Sequence, residues 1–127
     1  MTIRSDQSGQ TIIAVLIFMM LVVILTTSAV TIAVINLQSN IAASSGETAY
    51  ANAESGLENA LVRLQRDPSY TGETMTLPNG AVTITITGTS PLTIIAKGSS
   101  GAYYRTITAV AAISNNNISV QSWKETP

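Results

Sequence analysis

Three hydropathy regimes follow one another along the chain. Residues 12–25 read IIAVLIFMMLVVIL, without a polar side chain. Thr26, Thr27, Ser28 and Thr31 then interrupt a second apolar run that ends at Leu37. Ile12 to Ile35 is 24 residues, and a membrane-spanning helix needs about 20 at ~1.5 Å rise each. Lipid requires every backbone group to be bonded within the segment, which a helix does. The four hydroxyls can bond carbonyls one turn back, so they loosen the span without forbidding it.

The helical pattern outlasts the span. No proline occurs between Ile41 and Gln65. Ala53, Leu57, Ala60, Leu61 and Leu64 fall on one helical face. Arg63 and Arg66 sit where a helix C-terminus favours cations, and Asp67-Pro68 is a stop. The spacing predicts one helix from about Thr11 to Gln65, roughly 80 Å long at ~1.5 Å per residue. Its middle, Ala42 to Gly56, is rich in Ala, Ser and Gly. Side chains this small let another element approach closely, whether the protein's own sheet or other subunits.

From Thr71 the period becomes two. Val82, Ile84 and Ile86 alternate with Thr83, Thr85 and Thr87, as in a half-buried strand. Strands are also expected at Glu73–Leu77, Leu92–Lys97, Tyr103–Ile113 and Ile118–Trp123. Turns are expected at Pro78-Asn79-Gly80, Gly98–Gly101 and Asn115–Asn117, and a tail at Lys124–Pro127. Such short connections favour an antiparallel meander. Its apolar face needs a cover, and the Ala53–Leu64 stripe supplies one. The fold class is therefore α+β, a long N-terminal helix whose C-terminal half packs on four to five antiparallel strands. Trp123 is expected to cap the core on the last strand, and Tyr103-Tyr104-Arg105 to lie at a strand edge.

Charge sharpens the picture. The chain carries 6 Lys or Arg and 7 Asp or Glu, and none lies in the 40 residues from Gln7 to Gly46. Soluble domains average about 25% charged residues. Few cations and no basic run argue against nucleic-acid binding. Cysteine and histidine are absent, which removes disulfides, thiolate and imidazole metal sites, and the usual nucleophile–base pairs. No cofactor, metal site or catalytic residue is expected. Glu54 and Glu58 lie one turn apart on a face that reads as solvated. A secretory signal peptide is the simpler account of the apolar run, with small residues at Thr27-Ser28-Ala29. Against it, the run is long and the region before it offers only Arg4, offset by Asp6. Arg4 on one side and Glu47, Glu54 and Glu58 on the other suggest an N-terminus in the cytoplasm and a C-terminus outside.

A short polar segment ending in Gly9, an apolar helix and a small sheet together resemble a type IV pilin or pseudopilin. The residues that carry the likeness are Ser8-Gly9-Gln10-Thr11-Ile12-Ile13-Ala14-Val15-Leu16-Ile17. More loosely, Ala53-Glu54-Ser55-Gly56-Leu57-Glu58 and Ser122-Trp123-Lys124-Glu125 look like the PilX-type minor pilins. The resemblance implies a leader at 1–9, cleavage by a prepilin peptidase between Gly9 and Gln10, and N-methylation of Gln10. It implies an assembly and membrane helix at 10–37, with Thr11, Ile12, Ile13, Ala14, Val15, Leu16, Ile17 and Phe18 at its start. A globular domain would follow at 38–127, with helix at 38–66 and sheet at 73–123. The implied partners are other pilin subunits, the peptidase, an inner-membrane assembly platform and, before assembly, lipid. Nucleic acid would enter only through a filament-level role in DNA uptake. The subunit would sit in the cytoplasmic membrane first and in an extracellular or periplasmic filament afterwards.

Two positions depart from the family pattern. Its usual first mature residue is Phe, here Gln10, and its usual fifth is Glu, here Ala14. A carboxylate held in lipid needs a partner, and in typical pilins it is thought to meet a neighbouring subunit's amine. Without it, a minor or accessory subunit is the expected status. The other reading is a single-span membrane protein whose small outer domain binds a ligand or partner. An anchored enzyme ranks below both, since no catalytic constellation is visible.

Overall fold

The computed structural model describes residues 8–115 and 117–126. One helix, α1, runs Ser8–Arg66. Five strands follow: β1 Thr74–Leu77, β2 Gly80–Thr87, β3 Leu92–Ser100, β4 Tyr103–Ser114 and β5 Asn117–Thr126. They form one sheet in the order β1-β2-β3-β4-β5, every pair antiparallel. The α+β arrangement read from the periodicity is the observed one. The chain divides into two compact units, 1–40 and 41–127.

In the first unit, α1 is bare. Every residue from Gly9 to Asn40 is exposed. Thr26, Thr27, Ser28 and Thr31 each donate to a carbonyl one turn back, at 2.8–2.9 Å. The hydroxyls are thus satisfied inside the helix, as a low-dielectric surrounding demands.

In the second unit, the later part of α1 covers one face of the sheet. Ala49, Ala53, Leu57, Ala60 and Leu64 are buried against Val82, Ile84, Leu92, Ile94, Ala96, Ile107, Ala109 and Ala111. The alternation on β2 and β4 comes out on the expected side, with Thr83, Thr85 and Thr87 facing water. The small-residue stretch divides between two surroundings. Gly46, Ala49, Ala53 and Gly56 are buried, whereas Ala43, Ser44, Ala51 and Ser55 are exposed.

Four details differ from the sequence reading. The helix already includes Ser8, ahead of the expected start near Thr11. Gly98-Ser99-Ser100 is strand, and the β3–β4 turn is only Gly101-Ala102. Gly101, at φ 57°, takes the first central position of a two-residue hairpin loop, where a positive φ is required. Gly98 belongs in the strand for another reason: a Cβ there would run into Ala49 O and the Ala53 main chain, so the missing side chain lets helix and sheet close up. The third difference concerns the tail. Lys124, Glu125 and Thr126 continue β5, paired with Thr108, Ile107 and Thr106. Trp123 is the fourth, since it remains 41% exposed. It stands on the edge strand, opposite Ala109, beyond the cover that α1 provides.

Candidate functional site

The residues singled out for processing and assembly all lie in the first turns of α1. Gly9, Gln10, Thr11, Ile12, Ile13, Ala14, Val15, Leu16, Ile17 and Phe18 are helical and exposed. A side chain at Gly9 would meet nothing within 4 Å. The glycine is therefore not explained by packing, unlike Gly56, where a Cβ would collide with Val82, or Gly98. The rest of the expected leader, residues 1–7, lies outside the described residues.

From Ile12 to Ile41, α1 displays Ile, Val, Leu, Phe and Met side chains at 42–68% exposure. They point to every side of the helix, since consecutive residues such as Leu21, Val22, Val23 and Ile24 are all exposed. A helix that is apolar all round belongs in lipid or in the core of an assembly. This one is long and apolar enough to cross a membrane, and none of its span is buried. An exposed apolar surface this large marks a membrane or protein interface. Ala14 leaves no charge in it.

The main polar cluster of the second unit lies at the turn after α1, where the Tyr70 hydroxyl and Glu73 Oε1 are buried. Arg63 Nη2 meets Glu73 Oε1 at 2.9 Å, and its guanidinium lies 5.5 Å from the Tyr70 ring centre. Burial holds the Tyr70 hydroxyl above the ordinary tyrosine range, the Glu73 carboxylate adds to this, and Arg63 opposes it. Asp67 Oδ1 accepts hydrogen bonds from the Ser69 hydroxyl and amide, which holds its carboxyl below the ordinary range. These contacts fix the turn after α1. Lys97 lies 4.7 Å from the Tyr104 ring centre, and Tyr103 and Tyr104 are exposed at the start of β4. The two glutamates one turn apart, Glu54 and Glu58, differ in exposure. Glu58 is exposed and Glu54 half-buried. Among the described residues, no three His, Cys, Asp or Glu side chains are grouped to hold a metal ion.

No family model, curated protein or solved structure matches the chain. The function therefore has to be argued from the residues and their geometry.

Sequence reasoning missed two contacts that seat the helix. Asn52 Nδ2 donates to Ser99 O at 2.9 Å, and Gly98 admits the α1 backbone. Both join residues over forty positions apart, so no local pattern announces them. A buried glycine in an otherwise alternating strand was the available signal.

Proposed function

We propose that this protein is a structural subunit, of minor or accessory status, of a type IV pilus-like, secretion or competence filament. The subunit is cleaved after Gly9, N-methylated on Gln10 and polymerised through α1. The observation that carries the reading is the all-round apolar, charge-free and wholly exposed stretch of α1 directly after an unpacked glycine.

The physical sequence of events follows from that surface. Before assembly the apolar stretch rests in the cytoplasmic membrane, N-terminus inside and sheet outside. Lipid and a bundle of neighbouring helices solvate the same side chains almost equally well, because apolar burial is non-directional. Transfer from lipid to filament therefore needs no refolding of the segment. The inner-membrane assembly platform and the prepilin peptidase are the partners on the way, and other subunits are the partners afterwards. Close packing of helices favours small side chains over bulky ones; Ala14 supplies one within the apolar stretch, and the exposed Ala43, Ser44, Ala51 and Ser55 supply others beyond it. Without a carboxylate at Ala14, this subunit offers no acidic partner to a neighbour's amine, while its own amine at Gln10 can still meet one. That asymmetry suits a subunit present in few copies.

Gly9→Leu tests the proposal. The expected result is unprocessed protein retained in the membrane and missing from sheared filaments. Unchanged processing and incorporation would leave a plain single-span anchor as the better account.

A further inference from the structure

Charge in the second unit is sorted by element. Between Glu73 and Glu125 the chain has no Asp or Glu, yet it carries Lys97, Arg105 and Lys124. Arg105 is bound to Glu125 at 3.5 Å. Lys97 and Lys124 are exposed and have no carboxylate partner among the described residues. Lys97 stands near the tip of the β3–β4 hairpin, where Gly101, Ala102, Tyr103 and Tyr104 are all exposed. Tyr103 and Tyr104 are consecutive on β4, so their rings leave opposite faces of the sheet. The Lys97 ammonium lies over the Tyr104 ring. A tip with an aromatic ring on each face suits end-on entry into a layered medium better than a flat contact with one protein surface.

The tip stands at the end of the unit where α1 enters it. The Arg105 guanidinium, near the start of β4, lies beside Gly46. Ile118, paired with Ile113 at the far end of β4, lines a cleft with Leu61 and Gln65. Strand β4 therefore runs along this part of α1 in the same direction, and the turn ahead of it points back towards Ile41. Ile41 follows Leu37, the end of the apolar run, by four positions, about 6 Å of helix. The headgroup layer is about 5–8 Å thick on each side of a ~30 Å hydrocarbon core. A connection this short cannot hold the entry end of the unit clear of the headgroups of a membrane that α1 spans.

We infer that the β3–β4 tip is a membrane-docking element. Tyr103 and Tyr104 lie among the headgroups of the bilayer that α1 crosses, and Lys97 meets the phosphate of an anionic phospholipid. Tyrosine favours this depth, with its ring towards the acyl chains and its hydroxyl in water. The Lys97 stem can follow the Tyr104 ring and leave the ammonium at the phosphates. The main chain of the Gly101-Ala102 turn lies outside the strand ladder. It limits the depth, since hydrocarbon offers its polar groups no partner, whereas headgroups and water do. The inference rests on α1 lying in a membrane, which holds equally for a filament subunit and a plain single-span anchor, and not on cleavage at Gly9.

The chain has no cysteine, so a single thiol label can be placed at will. Ala102→Cys carries a fluorophore at the tip. Ser114→Cys carries it at the other end of β4, about 40 Å away at ~3.4 Å per residue. The full chain is reconstituted in phosphatidylcholine vesicles that contain phosphatidylglycerol and a lipid with a headgroup nitroxide as quencher. Flotation with the vesicles reads the insertion of α1 separately. The label at 102 should be quenched and the label at 114 should not. Lys97→Gln in the Ala102→Cys chain should lower the docked-to-free ratio about fivefold, as should omission of phosphatidylglycerol. Tyr104→Ser should lower it in both kinds of vesicle. Lys97 and Tyr104 are exposed, so neither change disturbs the core. Equal quenching at 102 and 114, or none at 102 in chains that float, would overturn the inference and leave α1 in the membrane. Quenching at 102 that ignores both Lys97→Gln and phosphatidylglycerol would overturn the role of Lys97. Chains that do not float would overturn the membrane premise itself.

Discussion

Replacing Gly98 by alanine tests the packing that holds the sheet to α1. The added Cβ would fall within contact distance of Ala49 O and the Ala53 amide nitrogen and Cα. All three are main-chain atoms, so no side-chain rotation relieves the overlap, and helix and sheet must move apart. Overpacking of this kind costs about 1–3 kcal/mol. Alanine's smaller unfolded-state entropy returns about 0.4–1 kcal/mol. With rigid neighbours the upper end applies, for a net loss of about 2 kcal/mol. For a domain of this size that lowers Tm by roughly 10 °C. Gly46→Ala is the matched control. It lies in the same helix-to-sheet seam, yet a Cβ there meets only the Arg105 guanidinium, at 3.4 Å. That group is the far end of a flexible side chain, so the gain in helix propensity of about 0.8–1 kcal/mol dominates. Thermal and denaturant unfolding in detergent, followed by Trp123 fluorescence, should shift in opposite directions for the two variants. Equal midpoints, or a stable Gly98→Ala, would refute the seating of α1 on β3.

The burial pattern predicts a similar contrast five residues apart on α1. Leu57→Ala removes a fully buried side chain and should cost about 2–5 kcal/mol, whereas Val62→Ala, 52% exposed, should stay within about 0.5 kcal/mol; denaturant midpoints measure both. Glu73→Gln should lower the Tyr70 pKa, seen in ring-carbon NMR, and leave it above the ordinary value, because burial is the larger cause. Since the folded value is raised, the Tyr70 contribution to stability is present below the unfolded pKa and is lost as pH rises through the folded one. Ser69→Ala should raise the Asp67 pKa, because the Ser69 hydroxyl is the main cause of its depression. There the sign reverses: the contribution is present above the unfolded pKa and is lost as pH falls through the folded one.

The sheet was legible because one of its faces is wet. Val82-Thr83-Ile84-Thr85 writes that in residue types, and the same holds for Ile107, Ala109 and Ala111 on β4. The Ala53–Leu64 stripe on α1 was legible because only one face of a helix can meet a sheet. Gly98 was misplaced because a glycine between Lys97 and two serines has the local chemistry of a turn. Its reason for being there, the backbone of Ala49 and Ala53, lies far away in sequence. Trp123 was misplaced because size and hydrophobicity do not reveal whether an edge strand is covered. The candidate site was legible in a different way. Residues Ile12 to Leu25 announce an apolar surface whatever they pack against, and the absence of a packing neighbour at Gly9 became visible only in three dimensions.

The central claim is that Gly9–Gln10 is a processing junction opening onto an assembly helix. Intact and N-terminal mass spectrometry of the protein from its native cells tests it most directly. The account predicts a chain that begins at Gln10 and carries one added methyl group on its amine. A chain that begins at Met1, or one cut near Val30, would contradict it.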